Sequence, residues 1–292
     1  MHDLLCGKLL GDGCLIKQGT RKPRFQFTHC KNDKGWSEYC YEQLSDSLPL
    51  NSPKYRKIVD TRMAAGFTES YIVQSRTSDE FSKLYEIWYP QRKKELPFSY
   101  IKEYFNEKTF AWWYQDDGHL KQENGIVKKV IFSTDSFTPL ENQFLIDFLQ
   151  KKYHLSFSID AQNRLILYDQ FQILYFLKLV GPYIHESMNR KRQSLNGSKV
   201  IAERSTIYLP NEFIVKNPTV EINHQYKKLP TLMALTENHT EFFKENISVQ
   251  NETVITKPYQ IKIKENYKDI LVKLKCKTGL TISQITVHCF RL

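Results

Sequence analysis

Leu5-Cys6-Gly7-Lys8-Leu9-Leu10-Gly11-Asp12-Gly13 recurs in altered form as Phe110-Ala111-Trp112-Trp113-Tyr114-Gln115-Asp116-Asp117-Gly118. Each copy is a short apolar run closed by Asp-Gly. Such a run predicts a buried helix, with Gly13 and Gly118 as C-terminal stops. A carboxylate in the last helical turn faces the negative end of the helix dipole, at a cost of about 0.3–1 kcal/mol. Binding of a cation by Asp12 and Asp117 would explain why acids stand there.

The two acids are 105 residues apart, and the same offset carries the following segment of the first half onto the second. Arg24-Phe25-Gln26-Phe27-Thr28 falls on Lys129-Val130-Ile131-Phe132-Ser133. Both read as strands of period two. Phe25, Phe27, Val130 and Phe132 would face the helices; Arg24, Gln26, Thr28, Lys129, Ile131 and Ser133 would face away. Helices are expected over 35–48 and 138–153, the second with Thr138 as N-cap, Pro139 at its first position and Glu141 three residues on. Strands are expected over 54–59, 71–76, 156–160 and 164–168, and a helix closes each half near 79–89 and 169–180. The order repeats, so two similar lobes are expected, at 1–98 and 99–198.

These residues resemble the LAGLIDADG homing endonucleases, the match running over Leu5–Gly13 and Phe110–Gly118. The resemblance implies an α+β fold of two pseudo-symmetric lobes, each α-β-β-α-β-β-α with a saddle-shaped antiparallel sheet. It also implies two helices side by side on the pseudo-twofold axis, whose final acids, here Asp12 and Asp117, hold divalent metal at the scissile phosphates of duplex DNA. Gly7 and Gly11 are small enough for close helix approach; the second copy departs from that pattern with Trp112 and Asp116. Main-chain carbonyls of Gly11 and Asp116 are expected as further ligands. Either Asp116 or Asp117 can be the ligating carboxylate, and the repeat alignment favours Asp117. Oxygen ligands suit Mg²⁺, with Mn²⁺ as a substitute. The family also places a lysine near each cleavage site. Lys94 in Arg92-Lys93-Lys94-Glu95-Leu96-Pro97 and Lys191 in Met188-Asn189-Arg190-Lys191 fit it, either polarising water and phosphate or contacting the DNA backbone.

The sheet faces carry the expected DNA contacts. Arg24, Gln26 and Thr28 in one lobe, and Lys121, Lys129 and Ser133 in the other, form polar, basic faces that can read base edges. Thr20, Arg21 and Lys22 read as a phosphate-touching loop, mirrored by Lys128 and Lys129. Composition agrees with a polyanionic partner: 42 Lys+Arg stand against 32 Asp+Glu in 292 residues, net +10. No apolar run approaches the ~18 residues of a membrane span, so no membrane partner is expected. A signal-peptide pattern is absent and six cysteines lack metal-ligand spacing, so an intracellular setting is expected: cytoplasmic, nucleoid-associated or inside an organelle.

Beyond the repeat, residues 200–256 carry 5 basic and 7 acidic side chains, and 257–292 carry 8 and 2. The first stretch (199–256) reads as a connector that can pack on the lobes. The second reads as strand, helix, Gly turn and helix, resembling a ribbon-helix-helix DNA-binding unit with Gln260, Lys262 and Lys264 facing DNA. In such units the strand pairs with that of a partner chain, so this tail is also where a dimer would form. Otherwise two unlike halves imply a monomer on an asymmetric site. The expected activity is site-specific double-strand cleavage of DNA at a long site, leaving a short 3′ overhang, by a homing endonuclease of a mobile intron or free-standing frame. The alternatives are an intron-splicing maturase, whose partner would be group I intron RNA, and a non-cleaving transcription regulator of the same fold. Both acids favour cleavage, since a pure binder needs no carboxylates beside phosphates.

Overall fold

The structure is a computed structural model describing residues 1–123, 125–192, 201–237, 239–250 and 254–292. The expected lobe boundary at 198 lies outside the described residues. The first lobe runs α1 (His2–Leu10), β1 (Cys14–Ile16), β2 (Arg24–Cys30), α2 (Lys34–Ser45), β3 (Lys54–Val59), β4 (Phe67–Gln74) and α3 (Asp79–Trp88). A short helix, α4 (Phe98–Tyr104), leads into the second lobe: α5 (Glu107–Asp117), β5 (Gly118–Glu123), β6 (Ile126–Phe132), α6 (Pro139–Tyr153), β7 (Ser158–Ile159), β8 (Leu165–Leu167) and α7 (Gln170–Val180). The repeat read from the sequence is present element for element. Each lobe holds one antiparallel four-stranded sheet, in the orders β1-β2-β4-β3 and β5-β6-β8-β7.

Local chemistry accounts for these elements. In β2 the alternation of Phe25, Phe27 and His29 inward with Arg24, Gln26 and Thr28 outward fixes which face meets the helices. Thr138 and Glu141 close a capping box on α6, with Pro139 at its first turn. Glu141 reaches further: its Oε1 accepts from Leu96 N at 2.7 Å, tying the inter-lobe segment to α6.

α1 and α5 pack together at the centre, and most of their residues are buried. The close approach is one-sided. A Cβ on Gly7 would stand 2.8 Å from both Thr109 O and Trp112 Cβ, and one on Gly11 would stand 2.6 Å from Asp116 Cβ. The large residues of the second copy therefore sit over the glycines of the first, and the departure from a small-residue pattern is complementary. A strap from the second lobe crosses to the first, where both terminal guanidinium nitrogens of Arg190 meet the Asp33 carboxylate at 2.7 and 2.9 Å.

The stretch after the lobes is folded. It comprises β9 (Arg204–Pro210), α8 (Pro218–Gln225), α9 (Leu229–Leu235), α10 (His239–Gln250), β10 (Thr256–Lys262), α11 (Glu265–Thr278) and α12 (Ile282–Arg291). Ile207, Leu209, Ile222, Tyr226, Leu229, Phe243, Ile261 and Leu274 give it a core. The tail departs from the ribbon-helix-helix expectation in one respect. β10 pairs along its whole length with β9 of the same chain, from Thr256↔Pro210 to Lys262↔Arg204. Its ladder is thus satisfied in cis, and no partner chain is needed to complete the ribbon.

Candidate active site at the lobe interface

α1 ends at Leu10, earlier than the glycine at 13 suggests. Gly11 N donates to Gly7 O and Lys8 O at 3.1 Å, and Gly13 N donates to Lys8 O at 2.7 Å. The backbone turns off the helix at once, so Asp12 lies just past its end, whereas Asp117 is the last residue of α5. Three acids converge here: Asp12, Asp116 and Asp117.

They differ sharply. Asp116 is buried to 0% side-chain exposure and saturated. It accepts from Lys8 Nζ at 2.8 and 3.0 Å, from Trp36 Nε1 at 2.8 Å and from Asp12 N at 3.2 Å. Burial alone would raise its pKa, but the Lys8 ammonium, with His29 beside it, holds the carboxyl well below the usual range. Lys8, itself fully buried, is in turn held charged against its own burial by Asp116. It also donates to His29 Nε2 at 2.8 Å, and His29 Nδ1 donates to Ser37 Oγ at 2.7 Å. Burial and the neighbouring ammonium lower the His29 pKa, so the imidazole is neutral and accepts from Lys8.

Asp12 and Asp117 behave oppositely. Burial, then the charge of Asp116, raises Asp12 to about 7; burial, then Asp12 and Asp116, raises Asp117 to about 8. The Asp12 side chain is 36% exposed, and Asp117 is half-buried. A pair of accessible carboxylates that resist ionising together is a site short of positive charge, and oxygen-only donors suit a hard divalent cation. Asp12, His29 and Asp116 also bring ligand atoms within 4.8 Å of one another. That second cluster already surrounds a cation, the chain's own Lys8 ammonium. The residues therefore fit a metal at Asp12 and Asp117 and do not fit one on the Asp116 side chain.

Lys94 and Lys191 lie beside these acids, one from each lobe. Lys94 Nζ donates to Gly13 O at 3.2 Å, and burial lowers its pKa. Lys191 Nζ donates to the last carbonyls of α5: Tyr114 O at 2.9 Å, Gln115 O, and Asp116 O at 3.3 Å. Burial brings its pKa down to about 8. This changes two expectations. The Asp116 carbonyl, read as a metal ligand, is shared with an ammonium, and Lys191 spends its N–H groups on a helix end and not towards a phosphate. Both follow from the uncapped carbonyls that any helix C-terminus leaves.

The open sheet faces carry most of the expected polar residues. Arg24, Gln26 and Thr28 share a face with Lys54, Arg56 and Gln74, and Gln74 Nε2 donates to Gln26 Oε1 at 3.1 Å. The sequence reading missed those three, which become neighbours only through strand pairing. In the second lobe Lys121 is directly opposite Lys129. Like charges in that position destabilise a sheet, a cost that a bound anion would offset. Ser133 follows β6, with its Oγ 3.3 Å from His119 Nε2, a face residue the sequence reading also missed. Ile131 departs from expectation: it points to the open face yet is 3% exposed, because His119 and Ile166 flank it across the ladder. Thr20, Arg21 and Lys22 form an exposed loop, but Lys22 Nζ sits 2.5 Å from Asp79. Lys128 is 3.3 Å from Glu123 at the hairpin tip. Gln260, Lys262 and Lys264 are exposed along β10 and just beyond it, remote from the lobe faces in sequence.

Known proteins resemble this chain in sequence and in fold. The profile of the LAGLIDADG DNA endonuclease family matches residues 2–178. An uncharacterised protein of Methanocaldococcus jannaschii is 29% identical over 207 residues, 67% of this chain and 74% of its own. An intron-encoded endonuclease of Dictyostelium discoideum is 29% identical over 42% of this chain and 77% of its own, and a cytochrome b mRNA maturase of Debaryomyces hansenii is 27% identical over 65% and 72%. The solved structure of the homing endonuclease I-WcaI bound to its DNA recognition sequence superposes with a TM-score of 0.57 at 22% identity, covering 65% of this chain and 84% of that one. With α1 and α5 paired, an acid just past the end of one and closing the other, and a four-stranded antiparallel sheet in each lobe, the chain belongs to the LAGLIDADG DNA endonuclease family.

Proposed function

We propose that the chain is a site-specific double-strand DNA endonuclease that cuts with divalent metal at Asp12 and Asp117. The observation that carries this is the pair itself. Two accessible carboxylates at neighbouring ends of α1 and α5 are held above their ordinary pKa by burial and negative charge, while the third acid is neutralised by Lys8. Bound there, Mg²⁺, or Mn²⁺ in its place, supplies charge neutralisation at the phosphate and a more acidic water. The protein's own groups do the rest. Asp116 fixes the main chain at Asp12 through the Asp12 N–H, so the ligand is presented on a rigid base. Lys191 holds a proton at Nζ, with a pKa that burial brings down to about 8, and places positive charge behind the α5 acids. Lys94, whose Nζ donates to Gly13 O, places positive charge on the first-lobe side of the site. The two basic sheet faces position the duplex, and their unlike residues suit a monomer on an asymmetric site cut with a short 3′ overhang.

The test is a randomised duplex library incubated with Mg²⁺ and, in parallel, with Ca²⁺ or EDTA, with the ends sequenced. Discrete breaks at one long motif, present only with Mg²⁺, are expected. Binding without breaks would refute cleavage. It would favour the maturase reading, which the Debaryomyces relative supports, and structured group I intron RNA would then be the substrate to test.

A further inference from the structure

The C-terminal unit carries a surface that the lobes do not use. β9 and β10 pair with Thr206 opposite Gln260 and Arg204 opposite Lys262. Ile207, Leu209, Tyr259 and Ile261 point to the core, which leaves Arg204, Thr206, Gln260 and Lys262 exposed on the other face. An open groove of about 560 Å³ runs between this face and α12, lined by Thr206, Tyr208, Lys275, Ser283, His288 and Arg291. Ser283 Oγ accepts from Tyr208 N at 3.0 Å, which locks the start of α12 to the ribbon. α11 and α12 are joined by Gly279-Leu280-Thr281, with Gly279 at φ +76° and Thr281 closing a capping box on Gln284. Two helices joined by a three-residue Gly turn are a helix-turn-helix arrangement.

A helix or a two-stranded ribbon is what the major groove of duplex DNA admits, and in helix-turn-helix units the N-terminal part of the second helix lies against the bases. Charge agrees: residues 257–292 carry 8 basic and 2 acidic side chains. Both of those acids, Glu265 and Asp269, lie on α11, while two acids from the preceding stretch each hold one base at the margin: Glu203 on Lys262 at 2.5 Å and Glu212 on Arg291 at 3.2 Å. The unit is seated on the second lobe. Phe243 packs against Phe171 and Tyr175 of α7 with ring centroids at 4.8 and 5.9 Å, and a Cβ on Gly279 would stand 2.5 Å from Gln170 O. We propose that the β9–β10 ribbon and α12 form a second duplex-DNA contact surface that lengthens the bound site on the flank of the second lobe. This rests on the lobes holding the same duplex.

The test uses the full chain in Ca²⁺ and a mixed-sequence duplex, with affinity read by fluorescence anisotropy from about 0.05 to 0.2 M KCl. Lys262→Gln/Lys264→Gln is compared with Lys121→Gln/Lys129→Gln, each variant first shown to melt like the parent. Each pair removes two cationic side chains, of which Lys129 is half-buried and the other three are exposed. Each should therefore lower the slope of log K against log salt by about 2, and affinity at physiological salt on the order of 10-fold. An unchanged slope in the Lys262/Lys264 variant alone overturns the second surface and leaves the lobes as the DNA site. An unchanged slope in the Lys121/Lys129 variant alone counts against the lobe faces instead. A parent dimer in sedimentation that Lys262→Gln/Lys264→Gln converts to monomer would show a second copy as the occupant of the ribbon and overturn the proposal. So would loss of binding to structured RNA with duplex binding intact.

Discussion

Replacing Asp116 with Asn should destabilise the metal-free protein by about 3–5 kcal/mol at pH 7. The substitution keeps the shape and one acceptor oxygen, so the Trp36 or Asp12 N–H stays served. What disappears is the counter-charge to the Lys8 ammonium, which has 0% side-chain exposure and cannot reach water. The partners left to it, the His29 imidazole and the amide oxygen, carry no charge. The penalty has a ceiling, because Lys8 can shed its proton. From an ordinary value of 10.5, neutralising it at pH 7 costs about 5 kcal/mol, at ~1.36 kcal/mol per pH unit. Once pH is high enough for Lys8 to be neutral in the variant, the loss should shrink by about 1.4 kcal/mol for each further pH unit. Urea unfolding in EDTA, followed by Trp fluorescence at pH 7 and pH 9, measures both quantities. Lys8→Met in the Asp116→Asn background should recover at least ~2 kcal/mol, since it removes the stranded charge. A loss below ~1 kcal/mol at pH 7, or no recovery in the double variant, would refute the buried-pair account.

The other two acids should respond with the opposite sign. Asp12→Asn or Asp117→Asn should abolish cutting, leave DNA binding largely intact and raise metal-free stability at pH 8; either variant cutting at the parental rate would remove that residue from the site. Their pKa values, about 7 and 8 against an ordinary 3.8, mean the folded state holds protons that the unfolded chain releases. Their contribution to stability is complete below about pH 3.8 and is lost as pH rises through 7 to 8. Asp116, shifted down, loses its contribution as pH falls below the usual carboxylate range. Without metal the melting temperature should thus be higher at pH 5 than at pH 8, and Mg²⁺ should narrow the gap. A flat profile over that interval would contradict the assignment. Gly7→Ala should cost about 1–3 kcal/mol, because its Cβ meets Thr109 O and Trp112 Cβ at 2.8 Å. An unchanged melting temperature would mean that α1 and α5 part more easily than their packing implies.

The sequence by itself determined the two halves, their element order, the inward and outward faces of β2 and the Thr138-Pro139-Glu141 helix start, and it singled out Asp12 and Asp117 as the pair proposed to hold metal. All of these are written in local periodicity, in caps that span three or four residues, or in a repeat that counting reveals. Tertiary structure alone decided which neighbouring acid is which. Asp116 and Asp117 are adjacent in the chain, but only packing brings Lys8, 108 positions away, and Trp36 onto one of them. In the same way Lys191 reads as a basic residue near the site until folding lays it under the open carbonyls of α5. The partner of β10 lies 46 or more positions upstream in β9, beyond any local pattern. Burial and long-range pairing set ionisation and hydrogen-bond supply, and neither is a property of a short stretch of chain.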